Sequence, residues 1–417
     1  MSEKLAIHGG APVFEGSFPH WPIVDDADRA ALIDAMDGGV WGLGGVRSKQ
    51  FRDAWAKFTG AHYAITTSSG TTALICAMRG LGIGAGAEVI IPAYTFQATA
   101  TAILQLNAIP VFADIEPGNF CLDASAVESA ITDRTRAIMP VHVAGCPADM
   151  DALIAIAEKQ HLPIIEDACQ AHGAAWRGRG VGSIGAAGAF SFQSSKNLAA
   201  GEGGAVTTSD AAIAGVASAS RNCGTPDAGL ESAPLAGANY RMTEFQAALL
   251  LSQMRRLPEQ IARREENAAV LDRELGDVPG IRPLIRDERV TVHAHHLYIF
   301  RYSTDVFAGA SRAAFIRALQ AEGIPCHGGY QPLYRASFLA DALRGTNEGW
   351  RHFSDRMYEH LRLPVTESAC SDAIWLTQRL LLSDRAQIQA IVDAVAKIHQ
   401  HRSELAKEGQ RTEDGGC

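Results

Sequence analysis

The fold class this sequence predicts is α/β, a mostly parallel sheet in a large domain followed by a smaller α+β unit. Three observations predict it. From about residue 48 to 250, apolar β-rich runs alternate with Ala-rich helical stretches, the mark of parallel β-α-β units with helices on both sheet faces. The strand candidates are apolar nearly throughout, as in Val89-Ile90-Ile91 and Pro163-Ile164-Ile165, which suits strands covered on both faces. Beyond that region the order changes to strand-then-helix segments.

The elements follow in order. Ala61–Thr67 reads as a strand and Thr71–Leu81 as a helix. Glu88–Pro92 is a strand, Thr95–Leu106 a helix and Ile109–Asp114 a strand. Ser125–Ile131 is helical, Thr135–Val141 a strand, Met150–His161 a helix and Pro163–Glu166 a strand. The Gly-rich stretch Gly178–Thr208 carries two short strand pieces, Gly188–Phe192 and Gly204–Thr207. Thr243–Leu275 is a long amphipathic helical region, expected to break at Pro258. A strand at Val290–Tyr302, a helix at Ser311–Glu322 and a last helix at Ala386–Gln400 complete the pattern. The expected division is an N-terminal segment packing on the domains (1–47), a large domain (48–255), a small C-terminal domain (256–402) and a polar, disordered tail (403–417).

Composition excludes several classes. Hydrophobic residues make up 47% and charged residues 20%, the balance of a folded globular protein. The net charge of −9 comes from 37 Lys+Arg against 46 Asp+Glu, so the basic footprint of a nucleic-acid binder is missing. No apolar run reaches the ~20 residues that span a bilayer. Met1-Ser2-Glu3-Lys4 leads into no apolar stretch of the secretory kind, so a cytoplasmic protein is expected. The eight cysteines include no Cys-x-x-Cys pair, and buried free thiols are the plain reading.

In an open parallel sheet, ligands bind beyond the carboxyl ends of the strands. Three such loops carry chemistry. Thr67-Ser68-Ser69-Gly70-Thr71-Thr72 joins a strand to a helix. The free amides of a helix N-terminus favour phosphate, and the hydroxyls of Thr71 and Thr72 would add donors; plain helix capping is the rival. Ile165-Glu166-Asp167 ends an apolar strand in two acids, with Gln170 and His172 close behind. An Asp there can pair with a protonated pyridine nitrogen. Metal ligation by Glu166, Asp167 and His172, or a helix cap at Asp167, are the alternatives. Phe190-Ser191-Phe192-Gln193-Ser194-Ser195-Lys196 follows a third strand and precedes Gly201-Glu202-Gly203-Gly204. A lysine is ordinarily a solvated surface charge, but one set among small polar residues at a strand end suits Schiff-base chemistry with carbonyl compounds.

Two further patterns compete. Gly180-Val181-Gly182-Ser183-Ile184-Gly185 matches the dinucleotide-binding G-x-G-x-x-G. That motif needs a buried strand before it and a helix after it. Trp176-Arg177-Gly178-Arg179 and Ala189-Phe190-Ser191-Phe192 are neither, so the motif is set aside. On the expected strand Val290–Tyr302, alternation would put His293 and His295 on one face. His296 lies on the same strand; the pair on one face suggests a two-histidine metal site, yet no third ligand is evident, and no metal is expected.

The three loops, in this order and spacing, resemble the DegT/DnrJ/EryC1/StrS family of aminotransferases, which use pyridoxal 5′-phosphate (PLP) and act on keto-sugars and keto-cyclitols. The resemblance runs through Ser69-Gly70-Thr71-Thr72-Ala73-Leu74, Val89-Ile90-Ile91-Pro92-Ala93-Tyr94-Thr95-Phe96, Pro140-Val141-His142 and Glu166-Asp167 with Gln170. It continues through Phe190-Ser191-Phe192 with Lys196, and Asn239-Tyr240-Arg241-Met242-Thr243-Glu244. It implies PLP fold-type I, the aspartate aminotransferase-like architecture with a seven-stranded sheet, and a homodimer with shared sites. By position, Lys196 resembles the Schiff-base lysine and proton shuttle, and Asp167 the partner of the pyridine nitrogen. Gln170 matches the contact to the ring hydroxyl and Phe96 the ring that stacks on the cofactor. Gly70, Thr71, Thr72 and Ser191 match the phosphate site, with Asn239 reaching in from the neighbouring subunit. Trp41, Arg241, His327 and Tyr330 lie in segments that line the substrate pocket in similar enzymes, or else serve packing.

His8-Gly9-Gly10-Ala11-Pro12-Val13, Trp21-Pro22 and Ser371-Asp372-Ala373-Ile374-Trp375-Leu376 resemble the branch holding scyllo-inosose aminotransferases and 3-amino-5-hydroxybenzoate synthases. The benzoate synthases usually carry His where this chain has Gln170, and the family's sugar 3-dehydrases replace the lysine with His. The expectation is therefore transfer of an amino group from an amino acid, glutamine or glutamate, to a ketone on a cyclitol or sugar by a ping-pong route. A PLP-dependent dehydratase or aminobenzoate synthase, and a non-catalytic PLP-binding regulator, are the alternatives.

Overall fold

A computed structural model describes residues 4–339, 358 and 360–406. Seven strands form the main sheet: β1 (Tyr63–Thr67), β2 (Glu88–Pro92), β3 (Ile109–Ala113), β4 (Thr135–Ile138), β5 (Ile165–Asp167), β6 (Ala187–Ser191) and β7 (Gly204–Thr208). Their order is β1-β7-β6-β5-β4-β2-β3, with β4 joined to β5 by the parallel bridges Ile138↔Ile164 and Val141↔Asp167. Only β7 runs antiparallel, to β1 on one side and β6 on the other. β2, β3, β6 and β7 are buried at every position, which is why their sequences show apolar runs instead of alternation. Helices Gly70–Gly80, Gln97–Leu104, Met150–Gln160 and Ala211–Arg221 connect or cover these strands.

A second sheet is antiparallel, β8 (Ile281–Pro283), β9 (Leu297–Tyr302) and β10 (Ala373–Thr377), with β9 in the centre. Helices Leu257–Gly276, Arg312–Ala321 and Arg385–Gln400 share a buried core with it, built from residues such as Phe300, Phe315 and Ile391. Leu5 and Phe18 belong to that same core. The helix Asp26–Asp37 instead meets Glu244–Met254, where Ser252 Oγ donates to Asp28 at 2.6 Å.

Several expectations need correction. The strand expected over Val290–Tyr302 is two strands, Val290–Val292 and β9. Between them His295 has a φ of 47°, and the Ala294 amide donates to Gly145 O, so the chain leaves the sheet. His293 and His295 therefore do not alternate on a strand. The helical break falls at Arg255-Arg256, and Pro258 sits in the first turn of Leu257–Gly276, where a missing N–H costs nothing. Strand β4 ends at Ile138, short of the expected Val141, although Met139 N still donates to Ile90 O at 2.8 Å and Val141 bridges Asp167. Residues 403–406 continue helical, with Leu405 fully buried; the rest of the expected tail, 407–417, lies outside the described residues. Helices Asp26–Asp37, Val46–Thr59, Ala211–Arg221 and Pro364–Asp372, and strand β10, had no counterpart in the sequence reading. Among the described residues no helix is long and apolar enough to cross a membrane.

Candidate active site

The loops after β1, β2, β5 and β6 meet at the carboxyl ends of the parallel strands. They enclose a cavity of roughly 600 Å³ that Gly70, Thr71, Phe96, Asp167, Ser191 and Lys196 line together. Gln170 and Tyr330 close its far wall. A second chamber of similar size adjoins it across His296, Tyr330 and Trp375, and His327 lines that one.

One end suits an anion. Ser69 caps the helix Gly70–Gly80 in a reciprocal box with Thr72, while the Gly70 and Thr71 amides have no carbonyl inside the helix to pair with. A Cβ at Gly70 would stand 2.7 Å from Ser191 Cβ and 2.9 Å from Cys169 Sγ. Glycine alone fits there, which brings the backbone to the cavity surface. The hydroxyl of Thr72 is held by the cap, accepting from Ser69 N at 3.0 Å. It does not line the cavity.

The two acids of β5 face opposite ways, as adjacent strand residues must. Glu166 is fully buried. It accepts from the amides of Gly182, Ile184 and Gly185, each at 2.7 Å, and from His142 Nε2 at 3.0 Å. His142 Nδ1 accepts from Ala148 N, so its one proton is on Nε2 and points at Glu166. The G-x-G-x-x-G segment is thus an anion cradle whose anion is the chain's own Glu166. Asp167 is turned to the cavity, with fewer partners. Thr99 Oγ1 donates to it at 2.8 Å and Cys169 N at 3.2 Å. Thr99 is itself 2.9 Å from Thr95 Oγ1. His172 aims elsewhere again, with Nε2 on Ser191 O at 2.7 Å, boxed by Trp55, Phe190 and Phe192. Burial pushes its pKa down to about 3. Glu166, Asp167 and His172 therefore share no common centre, and among the described residues no cluster of three or more His, Cys, Asp or Glu could hold a metal.

Lys196 sits in the loop after β6. Burial lowers its pKa, against the pull of Cys169 and Asp167. Lower basicity is what a lysine needs to act as a nucleophile or base. Its Nζ lies 3.5 Å from His296 Nε2. Opposite, Gln170 is locked at both ends of its amide. Oε1 accepts from Ala144 N at 2.8 Å, and Nε2 donates to Tyr330 Oη at 3.1 Å. Tyr330 packs edge-on against Tyr94 and Trp375. Gly329 makes this possible, since its φ is 77° and a Cβ would meet Tyr94 Oη at 2.8 Å.

A helix N-terminus, a cavity-facing carboxylate and an amine of lowered basicity in one enclosed space match the three polar ends of PLP: phosphate, ring nitrogen and aldehyde. The donor set fits that cofactor. Phe96, 54% exposed, presents its ring at the same cavity.

Besides Thr72, the candidates Trp41, Arg241, Asn239 and His327 lie outside the main cavity. Trp41 is exposed and packs on Phe245. Arg241 holds Asn222 Oδ1 at 2.9 Å, and exposed Asn239 pairs with Asn222 across an isolated bridge. His327 lines only the second chamber and pairs with Trp375 through the backbone. His293 and His295 stack at 3.8 Å beside a separate small cavity of about 60 Å³.

Sequence reading missed several residues of the main cavity, Thr99, Trp375 and His296 among them. Thr99 looked like an ordinary helix residue. Trp375 reaches the cavity only because β10 lies beside β9. His296 was read only as lying on the expected strand with His293 and His295, with no role of its own.

Comparison with known proteins gives a consistent result. The sequence pattern of the DegT/DnrJ/EryC1/StrS aminotransferase family matches residues 22–396. An L-glutamine:2-deoxy-scyllo-inosose aminotransferase from Micromonospora echinospora is 39% identical over 419 residues, covering 96% of this chain and 99% of that protein. The 3-amino-5-hydroxybenzoate synthase of Amycolatopsis mediterranei is 37% identical over 388 residues, covering 91% and 98%. Among solved structures, a 3-amino-5-hydroxybenzoic acid synthase superimposes with a TM-score of 0.83 at 36% identity, covering 93% of this chain and 99% of the other. An aminotransferase from Psychrobacter cryohalolentis gives 0.84 at 30% identity, with 93% and 100% covered.

Proposed function

This chain belongs to the DegT/DnrJ/EryC1/StrS aminotransferase family, and from that premise we propose that it moves an amino group from L-glutamine, or L-glutamate, to the ketone of a cyclitol related to scyllo-inosose. It is a PLP-dependent aminotransferase of fold-type I. The observation that carries the reading is the single cavity shared by Gly70-Thr71, Asp167 and Lys196. The names of the relatives, which pair L-glutamine with an inosose, supply donor and acceptor.

When bound, PLP supplies an aldehyde that carries the amino group and a ring that takes up electrons from the reacting carbon. The chain's own residues do the rest. Lys196 would hold the aldehyde, and its Nζ is the atom that would take up and return a proton. Asp167, fixed by Thr99 and Cys169, keeps a negative charge against the ring nitrogen. Gly70, Thr71 and Ser191 hold the phosphate, with Thr72 securing the cap behind them. Phe96 would cover the ring face, and Gln170 would meet the ring hydroxyl. Tyr330 and His327 border the space left for substrate.

Trp41, Arg241 and Asn239 lie away from their own cavity, so we assign them to the site of a second copy. Val40, Trp41, Leu43, Val46 and Phe96 are exposed apolar side chains, the kind of surface that a homodimer covers. The same reading divides the chain into an N-terminal segment, a large domain of 48–255 and a small domain of 256–402, and places the enzyme in the cytoplasm.

A donor-by-acceptor screen tests the function. The purified protein loaded with PLP should lose its visible absorption band on adding L-glutamine and regain it on adding a keto-cyclitol, with an amino-cyclitol detected by mass spectrometry. A product that has lost water without gaining nitrogen would favour the dehydratase reading, which the similarity to benzoate synthases keeps in view.

A further inference from the structure

The histidine beside Lys196 is held in one chemical state by its surroundings. Asn197 is buried, and its Nδ2 donates to Ala294 O at 2.6 Å. That fixes which end of the amide is oxygen. Asn197 Oδ1 then lies 3.3 Å from His296 Nδ1, so Nδ1 carries the imidazole proton. Nε2 is left bare, and it is the atom 3.5 Å from Lys196 Nζ. The backbone is fixed as well, since Gln378 N donates to His296 O at 3.1 Å. Amine, acceptor and orienting amide follow one another in a chain of contacts, as nucleophile, base and orienting group do in other enzymes.

The neighbours decide what His296 can do. The loop after β6 brings Lys196, the segment after β5 brings His172, and helix Leu257–Gly276 brings Arg264. Burial first, then the charge of Lys196, then His172 and Arg264 hold the His296 pKa well below its ordinary value. Arg264 is fully buried; its Nε and Nη2 donate to Gln378 Oε1, its guanidinium lies 5.3 Å from the centre of the Trp21 ring, and among the described residues its Nη1 has no hydrogen-bond partner. Cys169 and Asp167 also act on Lys196, favouring its charged form. An imidazole set this way keeps its one proton on Nδ1, accepts a hydrogen bond at Nε2 and resists taking up a second proton.

We propose that His296 is a positioning residue for Lys196: its bare Nε2 accepts one N–H of the freed amine and so turns the amine's own lone pair toward the substrate. No bond other than this hydrogen bond forms or breaks at His296. The inference rests on Lys196 being the proton-moving amine.

Two variants one methylene apart test it. In His296→Gln the side-chain amide reaches the place of Nε2, whereas in His296→Asn it stops at the place of Nδ1 and keeps only the Asn197 contact. The donor half-reaction is followed on the PLP-loaded protein by loss of the visible band, with L-glutamine and with its α-deuterated form. His296→Asn should slow the step on the order of 100-fold and enlarge the isotope effect, with donor affinity within about threefold. His296→Gln should recover to within about tenfold of wild type. A second readout needs no turnover. Loss of an acceptor beside the lysine nitrogen destabilises its protonated form, so the pH-dependent change of the resting band should move to lower pH in His296→Asn and return in His296→Gln. Wild-type behaviour of His296→Asn in all three measurements overturns the proposal, and so does equal damage in both variants, which would assign His296 to packing. A wild-type protein with no visible band overturns the reading of Lys196 itself and takes this inference with it.

Discussion

Glu166 and Asp167 are neighbours on one strand, and both are buried acids. Glu166 is enclosed by four donors, three of them amides of Gly182, Ile184 and Gly185. Asp167 has two, from Thr99 and Cys169, and opens on a cavity that also holds Lys196. The difference teaches how a buried charge is used. One that is fully satisfied ties the fold together, and one left part-satisfied toward a cavity is available to a ligand.

Five substitutions break or sharpen that contrast. Lys196→Ala should abolish the visible band and lower amino transfer on the order of 10⁴-fold while leaving thermal unfolding near wild type. Asp167→Asn should cost transfer about 10²-fold or more, with the protein still folded and still able to take up PLP, because a buried charge loses its partner. Glu166→Gln should do the reverse. Its new N–H₂ would face amide donors, lowering the denaturant-unfolding free energy by about 3 kcal/mol, with kcat of the folded enzyme within about threefold.

The pH series comes next in size. His172 titrates at about 3 in the fold against 6.5 unfolded. Below pH 6.5 the unfolded chain binds a proton that the fold refuses, so its contribution is full above that pH and is lost as pH falls toward about 3. His172→Gln should make the fall shallower by about 1.4 kcal/mol per pH unit over this window. The smallest effect is expected for Thr99→Val, which removes one hydrogen bond to Asp167. We expect about a fivefold loss of transfer with unchanged cofactor content, since such a bond is worth about 1 kcal/mol.

Much of this contrast was legible in the sequence. The strand-end rule picked out the loops of Gly70, Asp167 and Lys196, and their order carried the family resemblance. Alternation along β5 alone separates Glu166 from Asp167. The partner of Glu166 was not legible, because the Gly182–Gly185 cradle reaches it through space and its glycines read as a failed nucleotide motif. The loop of His293–His296 was misread as a strand, since its flanks are β-rich and nothing local announces the left-handed turn at His295. His296 became visible as a neighbour of Lys196 only once the chain left the sheet there. The cap that fixes Thr72, by contrast, is written locally in Ser69-Gly70-Thr71-Thr72.

The most direct test of the central claim is to trap the cofactor on its lysine. The PLP-loaded protein is reduced with borohydride, digested and mapped by mass spectrometry. The account predicts a pyridoxyl group on the peptide containing Lys196, absent from Lys196→Ala. A label on another lysine, or no label in a protein that still transfers amino groups, would contradict it.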